Sequence, residues 1–138
     1  KGAYASPFVR KKLANSATTY ELYFSVTEDG SSAYSAIYRS FSTNGLYWGA
    51  PKKLLTDSAL DPVVFTQNGR DKIMYTSTVG DKNFVKLAEL KADGGVGTSN
   101  TVLSPQGGIY TLGVVHINSK AVFFVETQNS WDGYCLNA

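Results

Sequence analysis

Sulfur and imidazole are scarce in this chain: one cysteine (Cys135), one methionine (Met74) and one histidine (His116) among 138 residues. A single cysteine excludes an internal disulfide. Set between Tyr134 and Leu136, it reads as a small buried hydrophobe rather than a reactive thiol. No His, Cys or carboxylate spacing suggests zinc, and no Asp-x-Asp-x-Asp-Gly loop suggests calcium. No metal and no cofactor are therefore expected. Gly94-Gly95-Val96-Gly97 lacks the lysine and following helix of a phosphate-cradling loop and reads as a flexible turn. Charge is thin as well, at 17% Asp, Glu, Lys and Arg with a net of +2. That balance is too small and too scattered for a nucleic-acid partner. The one basic run, Arg10-Lys11-Lys12, reads as a solvated strand end. No stretch approaches the roughly 20 apolar residues of a membrane-crossing helix, so no membrane span is expected. A helical period is missing too. Lys86 to Asp93 comes nearest, but turn signals bracket it and Phe84-Val85 favours a strand.

What is present is a chain that is 43% hydrophobic and 13% aromatic, enough for a globular core, with 13 glycines to punctuate it. The length suits one domain. The clearest local plan runs from Ser35 to Leu55. Ala36-Ile37-Tyr38-Arg39-Ser40-Phe41 is a strand by composition. Ser42-Thr43-Asn44-Gly45 is a tight polar turn, because Asn-Gly tolerates φ > 0 and matches the twist of paired strands. Its Ser, Thr and Asn side chains can bond nearby backbone and hold the turn without a ligand. Tyr47-Trp48 is expected to plug the turn, and Pro51 keeps the chain extended before Leu54-Leu55 returns to the core.

Weaker copies of this plan fill the rest. Phe8-Val9 reads as a short strand, residues 15–19 as a polar linker, and Tyr20 to Val26 as a strong strand turned by Glu28-Asp29-Gly30. A second unit contains Asp61-Pro62-Val63-Val64-Phe65, an Asn68-Gly69 turn, Ile73-Met74-Tyr75-Thr76, a Gly80-Asp81 turn, Phe84 to Leu90, an Asp93-Gly94-Gly95 turn and Thr101-Val102-Leu103. A third holds Leu112 to Ile117, an Asn118-Ser119 turn, Ala121 to Val125, and a Trp131-Asp132-Gly133 turn into Tyr134-Cys135-Leu136. Matching Tyr23 with Met74, 51 positions on, and Met74 with Phe123, 49 further, gives a period near 50. Four short strands per period of roughly 40–50 residues is the pattern of propeller blades. The expected fold is all-β: consecutive four-stranded antiparallel blades within a single domain spanning residues 1–138, with units at about 5–55, 61–103 and 112–138. That is about two and a half blades. A closed ring then needs a further segment or a second chain, since open edges invite pairing. The chain opens on Lys1, so a processed product or a piece of a longer polypeptide is expected.

Three stretches carry a family resemblance: Asp61-Pro62-Val63-Val64-Phe65, Ile73-Met74-Tyr75-Thr76, and Arg39 through Trp48. Together they resemble the five-bladed β-propeller superfamily of furanosidase-type glycoside hydrolases (families 43, 32 and 68). The last stretch also looks like a degenerate Asp-box, the structural turn of sialidase-type propellers, with Asn44 where aspartate is usual. The resemblance implies paired carboxylates near a central axis, one general acid and one base or nucleophile. Asp61 matches the Asp-Pro at the start of an inner strand and is the candidate catalytic residue, against a plain reading as a strand-start cap. The equivalent positions elsewhere are Ser6, before Pro7, and the neighbourhood of Gly113, so two of the three acids that the family would supply are missing. Blade topology puts Ser6, Asp61 and Gly113 on one rim, with Glu28, Asp29, Asp81, Lys82, Glu126, Asn129, Trp131 and Asp132, and puts Tyr47 and the Asn44-Gly45 turn at the opposite end. Glu126, Trp131 and Asp132, with Asn129, form a second candidate set: a ring to stack on a sugar face and polar groups to bond hydroxyls. The competing reading is a loop tryptophan packed over a sheet edge. His116 is read as a hydrogen-bonded wall residue or as a ligand contact. The resulting expectation is a secreted, carbohydrate-interacting propeller protein with a glycan partner and no complete catalytic set in this chain. The alternatives are part of a glycoside hydrolase that uses Asp61 with acids from another chain, and a structural or assembly module without ligand. A homo-oligomer, or a second chain completing the ring, is the expected assembly.

Overall fold

The computed structural model describes residues 2–14, 16–27, 35–56, 58–104, 109–117, 120–127 and 130–135. Every regular element among them is a strand: β1 (Ala3–Ala14), β2 (Ala17–Thr27), β3 (Ser35–Ser42), β4 (Lys52–Leu55), β5 (Ala59–Gln67), β6 (Arg70–Val79), β7 (Lys82–Glu89), β8 (Asn100–Leu103), β9 (Ile109–Ile117), β10 (Lys120–Thr127) and β11 (Ser130–Cys135). They form two four-stranded sheets, β1-β2-β3-β4 and β5-β6-β7-β8, and a three-stranded sheet, β9-β10-β11. Among the described strands, β1 with β2, β2 with β3, β3 with β4, β6 with β7, β7 with β8, β9 with β10 and β10 with β11 pair antiparallel. The all-β expectation thus holds, as does the strand over the Phe84 region. The expected turns at residues 28–30 and 118–119, and Leu136, lie outside the described residues; the turn expected at residues 131–133 is instead strand within β11, paired with residues 124–126.

Two expected boundaries change. β1 and β2 are longer than their apolar runs, and residues 17–19 of the expected linker are strand. The backbone ladder continues past the last apolar side chain because hydrogen bonding does not depend on side-chain polarity. The chain gathers into two compact units, Lys1–Pro62 and Val63–Ala138. The division falls inside β5, whose first residues are tied to the first sheet by the Asp61 contacts described below.

The repeat is stricter than composition suggests. Ile37↔Leu55, Tyr38↔Lys53 and Arg39↔Lys52 in the first sheet reappear 48 positions on as Val85↔Leu103, Lys86↔Thr101 and Leu87↔Asn100. The β-bulge recurs with them, between Ile37 and Tyr38 and between Val85 and Lys86. So does the bond that closes the loop: Gly49 N–H to Phe41 O at 2.9 Å, and Gly97 N–H to Glu89 O at 2.8 Å. Because Tyr23 pairs with Arg39 and Met74 with Leu87, the matching of Tyr23 with Met74 is correct.

Matching Met74 with Phe123 is not. The pair Val79↔Lys82 recurs as Thr127↔Ser130, again 48 positions on, so Phe123 corresponds to Tyr75. A slip of one residue exchanges the two faces of a sheet. Each sheet therefore has a leading face, carrying Leu22 and Phe24, Ile73 and Tyr75, or Ala121 and Phe123. It also has a trailing face, carrying Tyr23 and Ser25, Met74 and Thr76, or Val122 and Phe124. β6 is sealed on both faces, with all five residues from Ile73 to Ser77 buried. Within the second unit, the leading face of the third sheet is turned to the second sheet. His116, opposite Ala121, places Nε2 3.0 Å from the Thr66 carbonyl oxygen and its ring 6.1 Å from that of Phe65.

Turn chemistry explains the connections. Asn68 and Gly69 both take positive φ, 51° and 73°, as a two-residue hairpin of the primed type requires. Asn44-Gly45 does not make such a hairpin. β3 ends at Ser42 and β4 begins at Lys52. Between them Asn44 Oδ1 accepts from Leu46 N–H at 2.9 Å and Tyr47 N–H at 3.1 Å, while Ser42 Oγ accepts from Gly45 N–H at 2.8 Å. The turn holds itself by side-chain-to-backbone bonds, as the residue types predict. Tyr47 is no plug: it is 81% exposed, and Trp48 is half-buried.

Truncating Met74 to Ala removes a wholly buried side chain and is expected to destabilise by about 2–5 kcal/mol. Tyr47→Ala should stay within about 0.5 kcal/mol of the parent. Urea unfolding midpoints of the two variants measure the contrast; equal losses would mean that the loop aromatic is packed after all.

Candidate functional site

Asp61 is the third residue of β5, and Ser6 lies in β1 where the register shifts between Ala5 and Phe8. Each precedes a proline, and each takes a left-handed backbone, φ 51° at Asp61 and φ 50° at Ser6. Proline disfavours helical conformations in the residue before it, and positive φ is unfavourable for residues with a Cβ. Two matching outliers of this kind persist only where surrounding contacts impose them. The contacts are visible. The Ser6 hydroxyl donates to the Asp61 carboxylate, and the Asp61 N–H donates to Ser25 Oγ at 3.0 Å. Ser25 is fully buried, while Ser6 and Asp61 are half-buried. The structure thus brings together two of the three positions expected on one rim. The third, Gly113, pairs with Phe124 in the other compact unit, and a Cβ there would meet open space.

The second candidate set divides by register. Glu126 is half-buried and stands opposite Trp131 on one side and Thr111 on the other. Asp132 stands opposite Val125. Opposed positions share a face and successive ones alternate, so positions 131 and 132 belong to opposite faces of the sheet. By register, position 131 faces Glu126 and position 132 faces Val125. Asn129 lies outside the described residues. His116 is exposed, and its contacts with Thr66 and Phe65 fit the wall-residue reading, with Nε2 as the donor.

A cluster that sequence reasoning overlooked lies on the trailing face of the first sheet. Arg10 and Glu21 are register partners, joined by an ion pair at 2.5 Å with side chains only 14% and 8% exposed. Tyr23 Oη donates to the same Glu21 oxygen at 2.8 Å. Arg10 is therefore not a solvated strand end, although Lys11 and Lys12 are exposed. The available signal was Glu21 itself, a carboxylate inside the strongest apolar strand, which demands a cation once that strand is buried. Burial pushes the Tyr23 hydroxyl up to about 12, helped by the Glu21 charge and hydrogen bond; Arg10 and Arg39 oppose the shift.

Chemically, Asp61 offers carboxylate oxygens to hydroxyl donors beside a serine that orients them. Among the described residues, no group of three His, Cys, Asp or Glu side chains could hold a metal ion, and no helix is long and apolar enough to cross a membrane. The molecule is, by class, an all-β protein of repeated antiparallel sheets. Compared with protein-family models and with curated proteins, the chain matches none.

Two measurements check the buried cluster. Tyrosine is neutral when protonated, and the folded state holds this proton to about pH 12 against an ordinary 10.0. Its contribution is thus intact below pH 10 and is lost as pH rises from 10 to 12, by up to about 1.4 kcal/mol per pH unit. Tyr23→Phe should flatten the fall of Tm across that window; an unchanged slope would refute the assignment. Arg10→Ala leaves a buried carboxylate without its cation and is expected to cost about 2 kcal/mol or more, read by chemical denaturation at neutral pH.

Proposed function

We propose that the repeated sheets are propeller blades and that the chain binds carbohydrate through the Asp61 region, without hydrolysing it. The observation that carries this reading is the pairing of Ser6 with Asp61 at two strand starts, both left-handed and both before proline. Backbone strain of this kind concentrates at sites that must present a side chain in one orientation. Here it presents a carboxylate, and a carboxylate with a neighbouring hydroxyl suits the vicinal hydroxyls of a sugar. Hydrolysis asks for more, namely two carboxyl groups about 5–5.5 Å or about 6.5–9.5 Å apart. Asp61 accepts from the Ser6 hydroxyl at its carboxylate and donates its N–H to Ser25 Oγ, and the position equivalent to Asp61 in the first repeat, Ser6, carries a hydroxyl rather than an acid. Register sets position 131, a tryptophan, opposite Glu126, and an aromatic and an acid at paired positions are residue types that sugar contacts use. Presentation of a glycan-binding surface fits a secreted protein.

A glycan array probed with the intact chain tests the reading. Retention of a defined glycan is expected. Asp61→Asn should weaken it about 10- to 100-fold, the loss of one or two hydrogen bonds to a charged group, with Ser6→Ala weaker by a smaller factor. No retained glycan across the array would sink the proposal. Release of free sugar by the parent chain, abolished in Asp61→Asn, would replace it with hydrolysis.

A further inference from the structure

The three sheets differ in what seals them. The leading face is closed in the second sheet, where Ile73 and Tyr75 are buried, and in the third, where Ala121, Phe123 and Val125 are buried. In the first sheet the same face is open. Register places Tyr4, Val9, Leu13, Leu22 and Phe24 on it; Tyr4 is 78%, Val9 52% and Leu13 72% exposed. Its aromatics form a ladder, Tyr4 to Phe24 at 5.9 Å and Phe24 to Tyr38 at 6.0 Å. A concavity of about 370 Å³ opens between Tyr4, Ala5, Pro7, Leu22 and Phe24.

The trailing face shows the reverse order. It is closed at Tyr23 and Ser25 in the first sheet and at Met74 and Thr76 in the second. In the third sheet it carries half-buried Val122 and Phe124 with exposed Val115 and Ile117. Exposed apolar faces of this kind mark association surfaces. The chain therefore presents one open leading face and one open trailing face. What seats on a leading face is visible once, within the second unit: the third sheet turns this face to the sheet before it, through His116 against Phe65 and Thr66.

From this we infer that the open leading face of the first sheet receives the open trailing face of the third sheet of a second copy of this chain. Blade-on-blade packing between copies then repeats the packing between sheets within a copy. The inference rests on the blade reading proposed above. Such a contact joins different surfaces and is head-to-tail, so it closes when the rotation allows and otherwise propagates. With three sheets per chain, two copies supply six, inside the span of four to eight blades over which propellers close. The occupant is a homodimer partner rather than an unrelated protein, because the same chain carries both mates.

The test uses exposed positions, where substitution spares the core. One variant carries Tyr4→Asp and Val9→Asp on the leading face; the other carries Val115→Asp and Ile117→Asp on the trailing face. Light scattering after size exclusion, at tens of micromolar, reads the mass, and circular dichroism confirms that each variant folds. The parent is expected at twice the 14.9 kDa chain mass. Each variant alone should be monomeric, and an equimolar mixture should regain a dimer, because the trailing face of the first variant meets the leading face of the second. A monomeric parent overturns the inference. So does a dimer that survives the trailing-face variant, which would mean leading faces packed on each other. Glycan retention is scored separately, so failure of sugar binding and failure of docking give different results.

Discussion

A β-strand buries side chains on both sides of its plane, and that alternation governs this molecule. β6 illustrates the demand. Five successive residues, Ile73 to Ser77, are buried, so neither face of that sheet can be left to water. The first sheet is buried on one face, at Glu21, Tyr23 and Ser25, while Leu22 and Phe24 between them are only half-buried. The exposure of Tyr4, Val9 and Leu13 on one sheet, and of Val115 and Ile117 on another, follows from the same alternation at positions where no further layer is supplied.

Polar groups placed in such sheets are tolerated only with partners. Glu21 is answered by Arg10 across the β1–β2 pair and by the Tyr23 hydroxyl two residues along the same face. Asp61 is answered by Ser6 at the carboxylate and by Ser25 at the backbone. The first arrangement is sealed and holds strands together. The second is half-buried and sits on left-handed backbone at both Ser6 and Asp61. The difference lies in solvent access rather than in residue type.

The loops obey a separate rule. The long connections after β3 and β7 are closed by equivalent backbone bonds, Gly49 to Phe41 and Gly97 to Glu89, and in each a side-chain Oδ1, of Asn44 or Asp93, accepts from the N–H two residues on. In one, Asn44 and Ser42 gather the amide groups; in the other, Asp93 accepts from Gly95 N–H at 2.8 Å. The turn from Ser42 to Tyr47 is thus held by its own side chains.

The amino-acid order by itself determined the strand class, the Asn68-Gly69 hairpin and a period near 50, because turn residues and β-branched runs act over a few neighbours. It also singled out Asp61, through its proline. Only the folded chain decided which residues share a face. Phe123 falls with Tyr75 instead of Met74, and Asp132 parts from Trp131, since a shift of one position in cross-strand pairing costs no local propensity but inverts a whole sheet. The Arg10–Glu21–Tyr23 cluster and the Ser6–Asp61 contact belong to the same category. They join residues up to 55 positions apart, and separations of that length are set by register and burial, which no local pattern encodes.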